Sequence, residues 1–195
     1  MPRIAAASIE QHLRQQNERV VEAASKLFRQ RGFRGTDLSH IAAAVGLARN
    51  SLYRYFPSKE HLLVACVQRD MDPFLASVEA LEQTHADPRR RIEAWLDLSM
   101  DLATGPQHAT LELMGEVREA SPELRQQILA LHRLPNGVLE RAVKAVLARQ
   151  KRDSALVAGM IAAMLQSAAG QALRRPTQAA IRRELKSGVA RLLQA

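Results

Sequence analysis

The chain has 195 residues, with 28 basic and 20 acidic side chains and a formal charge of +8. A length near 200 suffices for one large domain or two small ones, burying roughly 70% of the unfolded surface without metal or disulfide staples. The single cysteine, Cys66, excludes an intramolecular disulfide framework and any Cys-cluster zinc site and fits a reducing, cytoplasmic compartment, while 4% aromatics with 9 Gly and 8 Pro exclude a many-stranded β protein and leave an all-α fold as the expectation.

The charge is unevenly spread. Residues 1–70 carry a net +5, residues 71–150 a net −3 and residues 151–195 a net +6. The basic first third is where a polyanionic partner is to be sought.

Residues 1–16 read as a flexible N-terminal arm in which Arg3 and Arg14 are available for a backbone contact. From Asn17 the pattern sharpens: Val20, Ala24, Leu27 and Phe28 share one helical face, and the helix ends near Gly32. Thr36 or Asp37 then caps a short helix with Leu38, Ile41, Ala42 and Val45 on one face. Gly46 supplies a turn, a third helix runs from about Ala48 to Phe56, and Pro57-Ser58 closes it while Ser58 caps a fourth.

Beyond residue 70 the spacing stays helical. Pro73 is expected to kink or divide the fourth helix. Asp87-Pro88 opens a helix with Ile92, Trp95, Leu96, Ser99 and Ala103 on one face, and Gly105-Pro106 ends it. Ser121-Pro122 starts a long helix, kinked at Pro135 and Gly137, and two more follow over Asp153–Leu173 and Pro176–Leu193, for about nine helices in all. The run Ser154–Leu173 is 20 residues long and free of charge, but it is mostly Ala, is broken by Gln166, Ser167, Gly170 and Gln171, and has bases at both ends. It is therefore read as a buried helix and not as a membrane span.

Three short helices joined by tight turns, with glycine between the second and third, form a helix-turn-helix. That arrangement places the N-terminal end of the third helix in the DNA major groove, whose donor and acceptor code distinguishes all four base pairs. Leu38, Ile41, Ala42, Val45, Leu47 and Leu52 pack inside, leaving Arg49, Asn50, Ser51 and Arg54 outside. By type, Arg49 suits guanine and Asn50 adenine; each good bidentate pair discriminates by ~1–3 kcal/mol. Tyr53 and Lys59 are placed to hold phosphates.

The stretches Thr36 to Leu47 and Ser51 to Leu63, above all Leu52-Tyr53-Arg54-Tyr55-Phe56-Pro57-Ser58-Lys59-Glu60, resemble the DNA-binding region of the TetR family of transcriptional regulators, with Ala23-Ala24, Leu27-Phe28 and Gly32-Phe33 also in place. The likeness covers about residues 17–65. It implies an all-α homodimer with this domain first and a C-terminal domain, residues 66–195, that senses a ligand and dimerises. It further implies that Thr36 supports a phosphate, Ser39 faces the groove, Arg49, Asn50 and Ser51 read or flank bases, and Tyr53 and Lys59 grip the backbone. Two positions depart from the family's habit: Ala48 stands where Ser or Thr is frequent, so no side chain caps the third helix, and Asn50 stands where a small residue is frequent.

In the C-terminal part, Leu156, Met160 and Met164 form one ridge of the uncharged helix and Val157, Ile161 and Leu165 another. With Leu185 and Val189 of the last helix, residues Leu156, Met160, Met164 and Ile161 are the expected dimer interface, a four-helix arrangement that the resemblance implies. Phe74, Trp95, Ser99, Met114, Leu131 and His132 are candidates to line a small-molecule pocket, because Met and Trp suit an adaptable apolar cavity. Glu112, Glu116 and Glu119 share a face but fit a solvated surface.

No metal-ligand spacing and no Ser-His-Asp or Cys-His arrangement is found, so neither enzyme, metal nor cofactor is expected. The expected function is a ligand-responsive regulator, a repressor by the resemblance, binding a pseudo-palindromic double-stranded operator as a homodimer and released by a small molecule. The alternative is a DNA-binding scaffold controlled by a protein partner and lacking a small-molecule pocket.

Overall fold

The computed structural model describes residues 2–105, 108, 112–113, 122–175 and 177–194, without the side chains of residues 2–8, 124 and 125. Among the described residues the regular structure is entirely helical: α1 (Pro2–Arg31), α2 (Leu38–Ala44), α3 (Arg49–Leu52), α4 (Lys59–Glu79), α5 (Leu81–Thr84), α6 (Pro88–Thr104), α7 (Pro122–Val146), α8 (Ser154–Ala172) and α9 (Gln178–Leu192). The chain divides into two compact units, the first from residues up to Asp70 with the start of α7, the second from Met71 with α7 from Leu129 onward. The sequence places this boundary five residues earlier, at 65/66.

The first unit is built on α1. No Gly or Pro interrupts the chain between Pro2 and Arg31, and Pro2 occupies the first helical turn, where its missing N–H costs nothing. The arm expected over residues 1–16 is therefore helical from Pro2 on, although Ile9 (62% accessible) and Leu13 (47%) lie in solvent and the first buried side chain among those described is Gln16. Further along, Val20, Ala24 and Phe28 recur every four residues, all buried, and Ile41, Leu52, Leu62 and Leu63 of the next three helices are wholly buried as well. Each such side chain stabilises the unit by ~1.5–3 kcal/mol. A polar clip fastens α4 to α1: Arg69 Nη2 donates to the buried Ser25 hydroxyl at 2.9 Å and to Asp70 Oδ1 at 3.0 Å, and Arg29 lies 3.6 Å from Asp70 Oδ2.

In the second unit α6, α8 and α9 pack on one another around Ile92, Trp95, Leu96, Met100, Leu139, Val143, Val157, Ile161, Leu185 and Val189. Asp87 caps α6 by accepting from Arg89 N at 2.9 Å, with Pro88 next, and Asp153 caps α8 by accepting from Ala155 N and Leu156 N at 2.9 and 3.0 Å. Pro73 does not divide α4, which continues to Glu79, and Pro135 lies inside α7. One missing N–H removes a single bond, and the packed helix on either side outweighs it. The Pro135 carbonyl accepts from the buried Trp95 indole N–H at 2.9 Å. Outside the core, Arg182 meets Asp101 and Lys186 meets Asp97, each at 2.6 Å; such partly exposed pairs contribute ~0–1 kcal/mol each.

Helix α8 is long and apolar enough to cross a membrane by length and composition, yet Val157, Ala158, Ile161, Ala169 and Ala172 are part of the second unit's core. Its other face is exposed, with Leu156 at 63% and Met160 at 46%.

Candidate nucleic-acid interface

Helices α2 and α3 are held by their inner faces. Leu38, Ile41, Ala42, Val45 and Leu52 are buried, and the link between them turns at Gly46, whose φ of 70° is the left-handed conformation that closes a helix C-terminus. Gly46 N donates to Ala43 O at 3.2 Å and Leu47 N to Ala42 O at 2.9 Å, satisfying the last carbonyls of α2.

What this leaves outside is one polar surface. Ser39, Arg49, Asn50, Tyr53 and Arg54 are exposed and Ser51 is half-buried. Asp37 caps α2: its Oδ1 accepts from Ser39 N and Ser39 Oγ, both at 2.8 Å, and the Nδ1 of His40 accepts from Asp37 N at 3.3 Å, a capping box with His in the place usual for Glu. The Ser39 backbone and hydroxyl hydrogen bonds hold the Asp37 carboxyl below the usual carboxylate range, with Arg49 and His40 adding to the effect. Arg49 Nη2 donates to Tyr53 Oη at 3.2 Å, with the guanidinium 5.8 Å from the ring centroid. That bond, with the charges of Tyr53 and Asp37 behind it, raises the already high pKa of Arg49. Ala48 stands at the N-cap of α3 and makes no side-chain cap bond. Arg54 faces elsewhere, lining with Tyr55 a groove of about 490 Å³ against Glu10, Leu13, Arg14 and Asn17 of α1.

Two residues expected at phosphates are engaged inside the unit. Thr36 is 1% accessible, and its hydroxyl donates to Gly32 O at 2.8 Å and Leu27 O at 3.3 Å, so it fastens the turn between α1 and α2 and does not reach a phosphate from this position. Lys59 is half-buried and donates to Phe33 O at 2.7 Å and Thr36 O at 3.0 Å, over the Phe33 ring. Two of its three N–H groups thus close the same turn. Sequence reasoning missed this role; it expected the caps at Asp37 and Ser58, where His61 N donates to Ser58 Oγ at 3.4 Å, but missed that the His40 side chain answers the Asp37 backbone in a capping box. The signal was the three-residue spacing of a capping box, overlooked because His replaced Glu or Gln.

In the second unit the candidate pocket residues are scattered. Trp95 and Ser99 are buried, Phe74 packs partly buried against the core, Leu131 is half-buried and Met114, like Glu116, Glu119 and Ser121, lies outside the described residues. His132 is exposed and does not line an interior cavity. Ser99 differs from the rest: its Oγ is buried and finds no hydrogen-bond partner among the described residues. The expected dimer residues also divide. Leu156 and Met160 are exposed and Met164 half-buried, whereas Ile161, Leu185 and Val189 are within 5% of full burial and belong to the unit's own core, because α9 packs against α8 within the same chain. Met164 and Leu185 also border a groove of about 520 Å³ between α8 and α9.

Residues 20–66 match the model of bacterial regulatory proteins of the tetR family. The chain is 30% identical over 109 residues to the HTH-type transcriptional regulator RutR of Escherichia coli K12, a match covering 56% of this chain and 51% of RutR, so it spans about half the length of that curated relative. Among solved structures it is similar to the transcriptional regulator FadR of Bacillus subtilis in complex with stearoyl-CoA, with a TM-score of 0.70, 20% identity and coverage of 90% of this chain and 96% of that one. It is similar also to a transcriptional regulator from Pseudomonas aeruginosa PAO1, at a TM-score of 0.80 and 14% identity, covering 93% and 92%. At such identities these two likenesses concern the fold. At residues 20–66 the chain thus carries a helix-turn-helix region similar to that of the tetR-family regulators, within an architecture that is all-helical among the described residues.

Proposed function

We propose that this chain is a DNA-binding transcriptional regulator, acting as a repressor, that binds a pseudo-palindromic operator as a homodimer and is released by a small-molecule effector. The observation that carries the reading is the outer surface of α2 and α3: Ser39, Arg49, Asn50 and Tyr53 face solvent together while Leu38, Ile41 and Leu52 are buried behind them. A helix-turn-helix with a polar, basic outer face fits the major groove. The uncharged exposed face of α8, with Leu156 and Met160, supports pairing with a second copy. The buried, unpartnered hydroxyl of Ser99 supports an effector site in the second unit, since a polar atom left without a partner there costs stability unless something bonds to it.

Release is a population shift: the effector must favour a conformation that no longer fits the operator, and its differential affinity sets how far binding falls. The test is capture of genomic fragments by the purified chain, followed by release with candidate effectors. Acyl-CoA thioesters come first, because a protein of this fold has been solved with stearoyl-CoA. Fragments that share an inverted repeat and are released by one compound class support the reading; capture without sequence preference contradicts it.

A further inference from the structure

We propose that Arg49 and Tyr53 act as one unit that holds a single DNA backbone phosphate, so that Arg49 positions the Tyr53 phenol and does not read a guanine. The inference rests on the DNA-binding reading above and concerns which residues of that surface carry sequence information.

Arg49 opens α3 and Tyr53 follows one turn later, which puts the two side chains on the same strip of the helix. Arg49 Nη2 donates to Tyr53 Oη at 3.2 Å and the guanidinium carbon lies 5.8 Å from the centre of the ring. Both side chains are exposed, so no core packing imposes this pairing. A phenolic oxygen accepts through its lone pairs and has one proton to give. With Arg49 on the accepting side, that proton is left to point outward, and the donation from a cation makes it a stronger donor. The acceptor that DNA presents most often to such a group is a phosphate oxygen.

The same bond works against base reading by Arg49. A guanidinium reads guanine through a fork of two parallel N–H groups, and Nη2 contributes a hydrogen to each of the two forks it can present. The bond to Tyr53 takes one of those hydrogens, and with it one of the two forks, out of use. The Asp37 carboxylate, fixed by Ser39 at the start of α2, attracts the guanidinium as well and keeps it near this pairing. A phosphate requires only charge and one or two donors, which the pair supplies together. Asn50, exposed and with no side-chain hydrogen bond among the described residues, is left with both its amide donor and its carbonyl acceptor for a base edge.

The experiment is selection from a randomised duplex library with the wild-type chain, followed by affinity and salt titration of the enriched duplexes with Arg49→Ala, Arg49→Lys, Tyr53→Phe, the Arg49→Ala/Tyr53→Phe double variant and Asn50→Ala. Arg49→Ala and Tyr53→Phe are each expected to weaken every enriched duplex by a similar factor, roughly tenfold, the loss of one charge-assisted bond. The double variant loses no more than the worse single variant, and Arg49→Lys restores most of the affinity. In Arg49→Ala the slope of log affinity against log salt falls by about 0.9. Repeated selection with Arg49→Ala returns the wild-type sequence, whereas Asn50→Ala returns a different one. A changed base preference in Arg49→Ala, or losses that multiply in the double variant, overturns the proposal. If the wild-type chain enriches no duplex, the functional reading itself fails, an outcome told apart because it needs no variant. Thermal melts of the variants at the wild-type midpoint tie the losses to the surface and not to unfolding.

Discussion

The Lys59 ammonium lies 2.7 Å from the Phe33 carbonyl oxygen and 4.2 Å from the centroid of the Phe33 ring, joining the start of α4 to the turn before α2 across 26 residues of sequence. With its second bond, to Thr36 O at 3.0 Å, it holds in place the turn that aims α2. Lys59→Met is therefore expected to lower the unfolding free energy by ~1.5–3 kcal/mol, the worth of a hydrogen bond made by a charged group. Urea denaturation measures this. A lysine that served only to hold a phosphate would leave the midpoint where it is.

Gly35 is required by that same turn for a different reason. A Cβ built there runs into the carbonyl oxygen of Arg31, a backbone atom that cannot swing away, whereas one built on Gly46 meets nothing within 4 Å and suffers only the positive φ. Gly35→Ala is expected to destabilise the chain by ~1–3 kcal/mol through overpacking, and Gly46→Ala by ~1–2 kcal/mol through left-handed strain. Gly35→Ala should in addition disturb DNA affinity at temperatures where the protein is still folded. Equal melting of Gly35→Ala and wild type would contradict the close approach.

Ser99 and Trp95 make opposite predictions one helical turn apart. Trp95→Phe removes the bond to Pro135 O and leaves that buried carbonyl short of a partner, a loss of ~1–3 kcal/mol. Ser99→Ala removes a hydroxyl that has no partner, so the midpoint should hold or rise, while the response to an effector that bonds there weakens. A large loss of stability in Ser99→Ala, measured without effector, would show that the hydroxyl already has a partner.

Asp37 gives the first unit a dependence on acid pH. Its pKa in the folded chain is depressed below the 3.8 of an ordinary aspartate, chiefly by hydrogen bonds from Ser39, so the carboxylate stabilises the fold above 3.8 and that contribution is lost as the pH falls through the lower folded value. Asp37→Ala should melt below wild type at pH 7, and the gap should close as the pH is taken below 3.8. A gap that stays constant down to pH 2 would remove the ionised cap from the account.

The helix-turn-helix was legible because its signals are local. Glycine at 46, the i, i+3, i+4, i+7 burial from Leu38 to Val45 and the run from Leu52 to Glu60 act within a few residues of one another, and the structure follows them. Thr36 and Lys59 make internal bonds that the sequence does not reveal, because residue type shows what a side chain can bond and not which bond it takes. Their partners, Leu27 O and Phe33 O, lie 9 and 26 residues away. On α8 the same limit applies: Leu156 and Ile161 are equally apolar, and only the placement of α6 and α9 decides that one is exposed and the other buried. The arm over residues 1–16 reads as loose because it is a chain terminus, but a helix already nucleated at Val20 extends backward through Ala- and Gln-rich sequence at little cost.

The central claim, that the exposed face of α2 and α3 holds DNA, is tested most directly by the salt dependence of binding. Titrating a duplex enriched from the library at several salt concentrations should give a log–log slope of about −0.9 per phosphate neutralised. That slope should respond to Arg49→Ala in the first unit and be untouched by Arg183→Ala on α9. A slope near zero, or one that changes equally with either substitution, would contradict it.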